Sequence, residues 1–128
     1  MAGQSLQRRV LVVDDDIDNA RALTYLLAML GYKVEYAING IAALKIAQGF
    51  LPHVLILDLK LPDTHGAELA RQLRRDPILK SARIIAITGS TFQGDVDRAL
   101  KAGCDEVLAK PVPLDVLERR IKAVKLEL

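Results

Sequence analysis

The chain has 128 residues, half of them apolar, and a formal net charge of only +2. That is the size of one domain with enough apolar residues for a packed core, which excludes a disordered segment. Cys104 is the single cysteine, so a disulfide framework and a thiolate zinc site are excluded. No apolar run nears the ~18 residues of a membrane span, and residues 1–7 carry no apolar signal-peptide core, so the expectation is a cytoplasmic protein without membrane insertion. Arg71, Arg74 and Arg75, and Arg119, Arg120, Lys122 and Lys125, fall on helix faces. They read as solvated faces rather than as a nucleic-acid contact.

Strand-like and helix-like stretches alternate along the chain. A first apolar run, 10–13, ends on Asp14, Asp15 and Asp16. A helix then starts near Asp16 or Asp18, either of which can cap it, with Ala20, Leu23, Leu26, Leu27 and Leu30 on one face and Gly31 as its stop. Residues 33–37 form a second strand. Asn39 caps the next helix, which encloses Ile41, Leu44, Ile46 and Ala47 and is ended by Gly49. A third strand covers 53–57, and a helix over 67–75 turns Leu69 and Leu73 inward before Asp76-Pro77 closes it. The fourth strand is 84–88. A helix from about 93 to 102 is stopped by Gly103, and the fifth strand is 106–109. Pro113 opens the last helix, with Leu114, Leu117, Ile121 and Val124 as its stripe. Alternation of this kind makes an α/β domain with a parallel sheet and helices on both faces.

The chemistry lies where the apolar runs stop. They end on Asp14 and Asp15, on Asp58, on Thr88 and on Lys110-Pro111. Continuous apolar runs are strands buried on both faces, and ligands of open α/β sheets sit beyond the carboxyl ends of such strands. If the four strands are neighbours, clustered carboxylates meet a hydroxyl and an ammonium. Such carboxylates are tolerable only with a bound cation, a shared proton or a nearby ammonium, an arrangement that calls for a divalent metal and a phosphate-like ligand. Asp16 and Asp18 suffice for capping, so Asp14 and Asp15 are left for that role. Asp58 breaks the run 54–59, and a carboxylate beside Mg²⁺ and a lysine can attack phosphorus to give an aspartyl phosphate. Gly89 after Thr88 allows close ligand approach. A cis bond at Lys110-Pro111 would aim the ammonium into the crevice. His53 starts a strand and His65 sits in a loop, and their spacing does not make a metal pair. No Gly-rich phosphate loop occurs.

These residues resemble the receiver domains of two-component response regulators. The acidic opening is 11–16. The phosphoacceptor segment runs from Leu55 through Asp58, Lys60, Pro62 and Asp63 to Gly66, the hydroxyl strand is Ile87-Thr88-Gly89, and the closing motif joins Ala102-Gly103-Cys104-Asp105 to Lys110-Pro111. The resemblance implies a flavodoxin-like (βα)5 three-layer sandwich with strand order 2-1-3-4-5. It implies a single receiver domain over 1–128, with its core at about 8–125 and no output domain. Asp58 would be the phosphoacceptor. Asp15 would bind Mg²⁺ directly, Asp14 directly or through water, and the Lys60 backbone carbonyl would be a further ligand. Thr88 and Lys110 would hold phosphoryl oxygens. A histidine kinase or histidine phosphotransfer protein would be the donor, docking on the first helix. Output would pass to a downstream protein effector, not directly to nucleic acid. Val107 departs from the family, which usually has an aromatic residue there that follows the threonine's movement. Its absence leaves two expectations: a small response, as for a relay shuttle, or a response carried by another element such as the loop 88–94. Two rival readings are an interaction module that keeps the fold without being phosphorylated, and an aspartyl-nucleophile phosphohydrolase. Such hydrolases usually want a second acid where Lys60 stands.

Overall fold

The computed structural model describes residues 7–89 and 93–126. Its elements are β1 (Arg9–Val13), α1 (Ile17–Met29), β2 (Lys33–Ala37), α2 (Gly40–Phe50), β3 (Val54–Asp58), α3 (Gly66–Arg75), β4 (Arg83–Thr88), α4 (Gln93–Ala102), β5 (Glu106–Ala109) and α5 (Leu114–Lys122). All strand pairs are parallel, in the order β2-β1-β3-β4-β5. This is the flavodoxin-like order expected.

Side chains alternate across the sheet at the period of two that a pleated strand imposes. Leu11, Val13, Leu55, Leu57, Ile84 and Ala86 join one core cluster with buried residues of α2, α3 and α4. Val10, Val12, Val54, Ile56 and Ile85 join the other with α1 and α5. The central strands are therefore buried on both faces, which is why their sequences read as unbroken apolar runs.

The register places the strand ends that matter. Val13 pairs with Leu57, so Asp14 comes level with Asp58. Asp58 pairs with Ile87, and Thr88 with Ala109. Lys110 is the next residue, and its N–H donates to the Thr88 carbonyl at 2.8 Å.

Local expectations hold with definite exceptions. Asp16, not Asp18, caps α1, accepting from the N–H groups of Asp18 and Asn19. Leu26 and Leu30 are 42% and 45% exposed rather than inward, and Ile41 is also exposed, because the sheet covers only a narrow stripe of each helix. Gly49 does not end α2. The helix runs on to Phe50, which packs on the core, and ends at Leu51 in the left-handed region with φ 53. Pro113 is the cap of α5 and not its first residue. Arg74 is no solvated cation: it donates to the carbonyls of Gly103, Lys80 and Ala82 and to Asp105. It thereby ties α3 to the loops on either side of α4 and β4. Arg120 and Lys122 pair with Glu106 and Glu118.

Candidate functional site

Asp58 is the last residue of β3 and only 7% exposed. A carboxylate so buried needs partners. Its Oδ2 accepts from Lys110 Nζ at 2.8 Å, and its Oδ1 accepts from the Lys60 N–H at 3.0 Å. Lys110 itself is 40% exposed, so its ammonium reaches the carboxylate from the solvent side. The Lys110–Pro111 bond is cis. The hydrogen bond to Asp58 raises the lysine pKa above its ordinary value. The negative charges of Asp58, Asp14 and Asp15 add to this, against the opposing effect of burial.

Carboxylate oxygens of Asp14, Asp15 and Asp58 lie within 4.8 Å of one another. Asp14 is fixed from both sides: its N–H donates to the Ala37 carbonyl, and its Oδ1 accepts from the Asp16 N–H at 2.9 Å. Burial raises the Asp14 pKa above the usual carboxylate value. The fields of Asp58 and Asp15 act in the same direction, while the Asp16 amide and Lys110 oppose them. Three carboxylates facing one ammonium leave a formal charge of −2 on the site. An all-oxygen donor set with excess negative charge fits a hard divalent cation.

Thr88 is buried at the end of β4. With Leu59, Lys60, His65, Asp95 and Arg98 it lines a cavity of about 180 Å³ on the α4 side. The expected site residues Asp14, Asp15, Asp58, Thr88 and Lys110 therefore share one end of the sheet. The Lys60 backbone is held beside Asp58 through its N–H. Val107 is half-buried against the core cluster on the α2, α3 and α4 face. Of the loop expected to take over its response, residues 90–92 lie outside the described residues, as do 1–6 of the N-terminal stretch.

Two residues that hold this site went unassigned in the sequence. Asp63 turns its carboxylate to the first turn of α2, accepting from Gly40 N–H at 2.8 Å and Ile41 N–H at 2.9 Å. These N–H groups hold the Asp63 pKa below the usual value. His65 is not a plain loop residue: its Nδ1 caps α3, accepting from Ala67 N–H at 3.0 Å. Burial lowers its pKa, and the charge of Arg98 adds to that, against Asp95. The far end of the loop after Asp58 is thus pinned twice. Gly66 closes it. A Cβ there would stand 2.8 Å from both the Asp58 carbonyl oxygen and Leu59 Cα, so only glycine lets α3 begin so close to β3.

A parallel sheet of this order, with an acidic cluster, a buried carboxylate and a lysine at its carboxyl edge, is the architecture of a phosphoacceptor switch domain. Residues 10–122 match the family described as the response regulator receiver domain, and the chain belongs to that family. It is 28% identical to the polar-differentiation response regulator DivK of Brucella anthropi over 118 residues, 92% of this chain and 96% of the relative. It is 32% identical to the response regulator PleD of Caulobacter vibrioides over 93% of this chain but 26% of the relative. Among solved structures, chemotaxis response regulator CheY4 of Vibrio cholerae superposes with a TM-score of 0.86 at 28% identity, covering 94% of this chain and all of that one. A response regulator from Burkholderia pseudomallei, solved with a phosphorylated aspartic acid, calcium ion and citrate, gives 0.82 at 30% identity, covering 93% and 67%. The chain is a receiver domain of the two-component type. No helix among the described residues is long and apolar enough to cross a membrane.

Proposed function

We propose that Asp58 is the phosphoacceptor and that residues 8–125 act as a self-contained receiver core. The observation that carries this reading is the buried Asp58 carboxylate, gripped by Lys110 on one oxygen and facing Asp14 and Asp15. A carboxylate oxygen attacks the phosphorus of a phosphohistidine, the P–N bond breaks, and the imidazole leaves with that electron pair. Lys110 then exchanges a carboxylate partner for a phosphoryl oxygen, a stronger charge-assisted bond. The Thr88 hydroxyl holds a second oxygen.

The donor set fits Mg²⁺, which Asp14, Asp15, Asp58 and the Lys60 carbonyl would hold. When bound, Mg²⁺ neutralises charge on the phosphoryl oxygens. Asp63 and His65 serve that set by fixing the loop that carries Lys60. The phosphohistidine belongs to a histidine kinase or a histidine phosphotransfer protein. Its docking surface is α1, which begins beside the acidic cluster with exposed Ile17 and leaves Tyr25, Leu26 and Met29 exposed further along. Output passes to a protein effector in the cytoplasm rather than directly to nucleic acid. The only catalysis is of the domain's own phosphorylation and dephosphorylation.

Incubation with acetyl phosphate and Mg²⁺, read by intact mass, should add one phosphoryl group, and Asp58→Asn should abolish it. Undiminished labelling of Asp58→Asn would sink the assignment.

A further inference from the structure

Strands β1, β2 and β4 begin on Arg9, Lys33 and Arg83, and β3 is entered from His53. Parallel pairing brings these starts to one edge of the sheet, the edge opposite Asp58. Arg8 joins them, donating to the carbonyls of Val124 and Lys122 at the end of α5. The basic pole is local: β5 starts on Glu106 beside Asp105 at the same edge, and those acids answer Arg83, so the bases left over lie on the β1 and β3 side.

A cavity of about 360 Å³ opens at this basic pole, lined among others by Arg9, Leu51, His53, Ile78, Ser81 and Lys125. Its polar side chains offer donors. Arg9 Nε is taken by the Leu51 carbonyl at 2.8 Å, but its Nη groups meet no acceptor among the described residues. No carboxylate pairs with Arg9 or Lys125 among the described residues, whereas Arg83 is matched by Asp105 and Glu106. His53 Nδ1 accepts the Arg9 backbone N–H at 2.8 Å, so the ring proton lies on Nε2 as a further donor. Burial, with the charges of Arg9 and Arg8, lowers the pKa of this ring. Among the described residues, no Asp or Glu lines the cavity. Asp76, on the loop that carries Ile78, turns its Oδ1 to the N–H groups of Ile78 and Leu79 instead. Beside the donors, the rim is apolar: Ile78 is 71% exposed, and Leu51 is exposed as well.

Cations with no carboxylate partner among the described residues, and further donors beside aliphatic side chains, complement an anion carried on an apolar chain. A free inorganic ion would leave the rim uncovered. A nucleic acid would find no Phe, Tyr or Trp among the lining residues on which to stack a base, and the His53 ring is held edge-on by the Arg9 backbone N–H that it accepts. We propose that this pocket docks an acidic–aliphatic peptide segment of a partner protein, with a carboxylate between Arg9 and Lys125 and its neighbouring aliphatic side chain against Leu51 and Ile78. Because the pocket and Asp58 lie at opposite ends of the sheet, such a partner can be held while the phosphoacceptor end faces its donor.

The test is an amide-shift titration of the full chain with a capped hexapeptide alternating Glu and Leu. Equal-length peptides alternating Gln with Leu and Lys with Leu, and inorganic phosphate, serve as comparison probes. The Glu–Leu peptide should move the amides of 51–53, 78–82 and 124–125. Lys125→Gln, which removes no hydrogen bond of the fold, should weaken binding about fivefold, the loss of one ion contact. Arg9→Gln should weaken it as much or more. Neither variant should slow labelling of Asp58 by acetyl phosphate. Equal binding of the Gln–Leu or Lys–Leu peptide, shifts mapping elsewhere, full binding by Lys125→Gln, or phosphate matching the peptide at equal concentration would each overturn the proposal.

Discussion

Replacing Asp15 by Asn separates the metal role of the acidic cluster from its role in folding. The three carboxylates lie within 4.8 Å of one another, and Lys110 offsets only part of their charge. Two unit charges at that distance repel by about 0.9 kcal/mol at the dielectric of water and about 3.5 kcal/mol at an effective value near 20. Asp15 is exposed, so the lower figure governs. It faces two other carboxylates, and the Lys110 ammonium takes back part of the gain, leaving ~1 kcal/mol of relief in the metal-free protein. At ~2.1 cal/mol/K per residue, a domain of this size has an unfolding entropy of ~0.27 kcal/mol/K, so the relief is a rise of ~4 °C in Tm. Mg²⁺ at tenfold its Kd should stabilise the unaltered protein by ~1.4 kcal/mol, or ~5 °C. The variant should lose most of that increment. Thermal unfolding followed by circular dichroism should therefore show the variant ahead in EDTA and that lead erased in Mg²⁺. A variant less stable than its parent in EDTA, or one that gains as much from Mg²⁺, would refute the reasoning.

Gly66→Ala drives a Cβ against the Asp58 carbonyl and Leu59 Cα, backbone atoms that cannot turn aside. It should cost at least ~1–3 kcal/mol in urea denaturation and slow acetyl phosphate labelling, and an unchanged midpoint would mean the approach is looser than described. The raised Asp14 pKa favours the protonated folded state, so its stabilising contribution is complete below the ordinary carboxylate value of 3.8 and is lost as pH rises through the folded value. In EDTA, stability should therefore fall with pH just above that range, and Asp14→Asn should flatten the fall; an identical pH profile for the variant would discount the shift. Val107→Ala removes two methyl groups from a half-buried position and should cost ~1 kcal/mol with phosphorylation rates nearly intact. Amide exchange should change on phosphorylation in 59–66 and at the start of α4. A change centred on 105–109 and lost in the variant would make valine the switch.

What the sequence determined by itself is whatever follows from short-range rules. Buried runs such as 54–57 can only be interior strands, caps such as Asp16 and Asn39 set helix starts, and alternation of strand and helix forces parallel pairing. Once the pairing is parallel, the polar residues that end those runs must share one edge, so Asp14, Asp15, Asp58, Thr88 and Lys110 were legible before any coordinate. Tertiary structure decided the contacts between residues far apart in the chain, which leave no periodic trace. Asp63 reaches Gly40 across 23 positions, and Arg74 reaches Asp105 across 31. It also decided which apolar side chains stay outside. Leu26 and Leu30 follow the helical pattern yet are exposed, because a helix on a sheet buries a stripe narrower than its apolar face. Phe50 carries α2 past Gly49 because packing against the core outweighs the local preference of glycine to stop a helix. The basic pocket has the same origin. Arg9, His53 and Lys125 become neighbours only because parallel strands start side by side and α5 ends beside them.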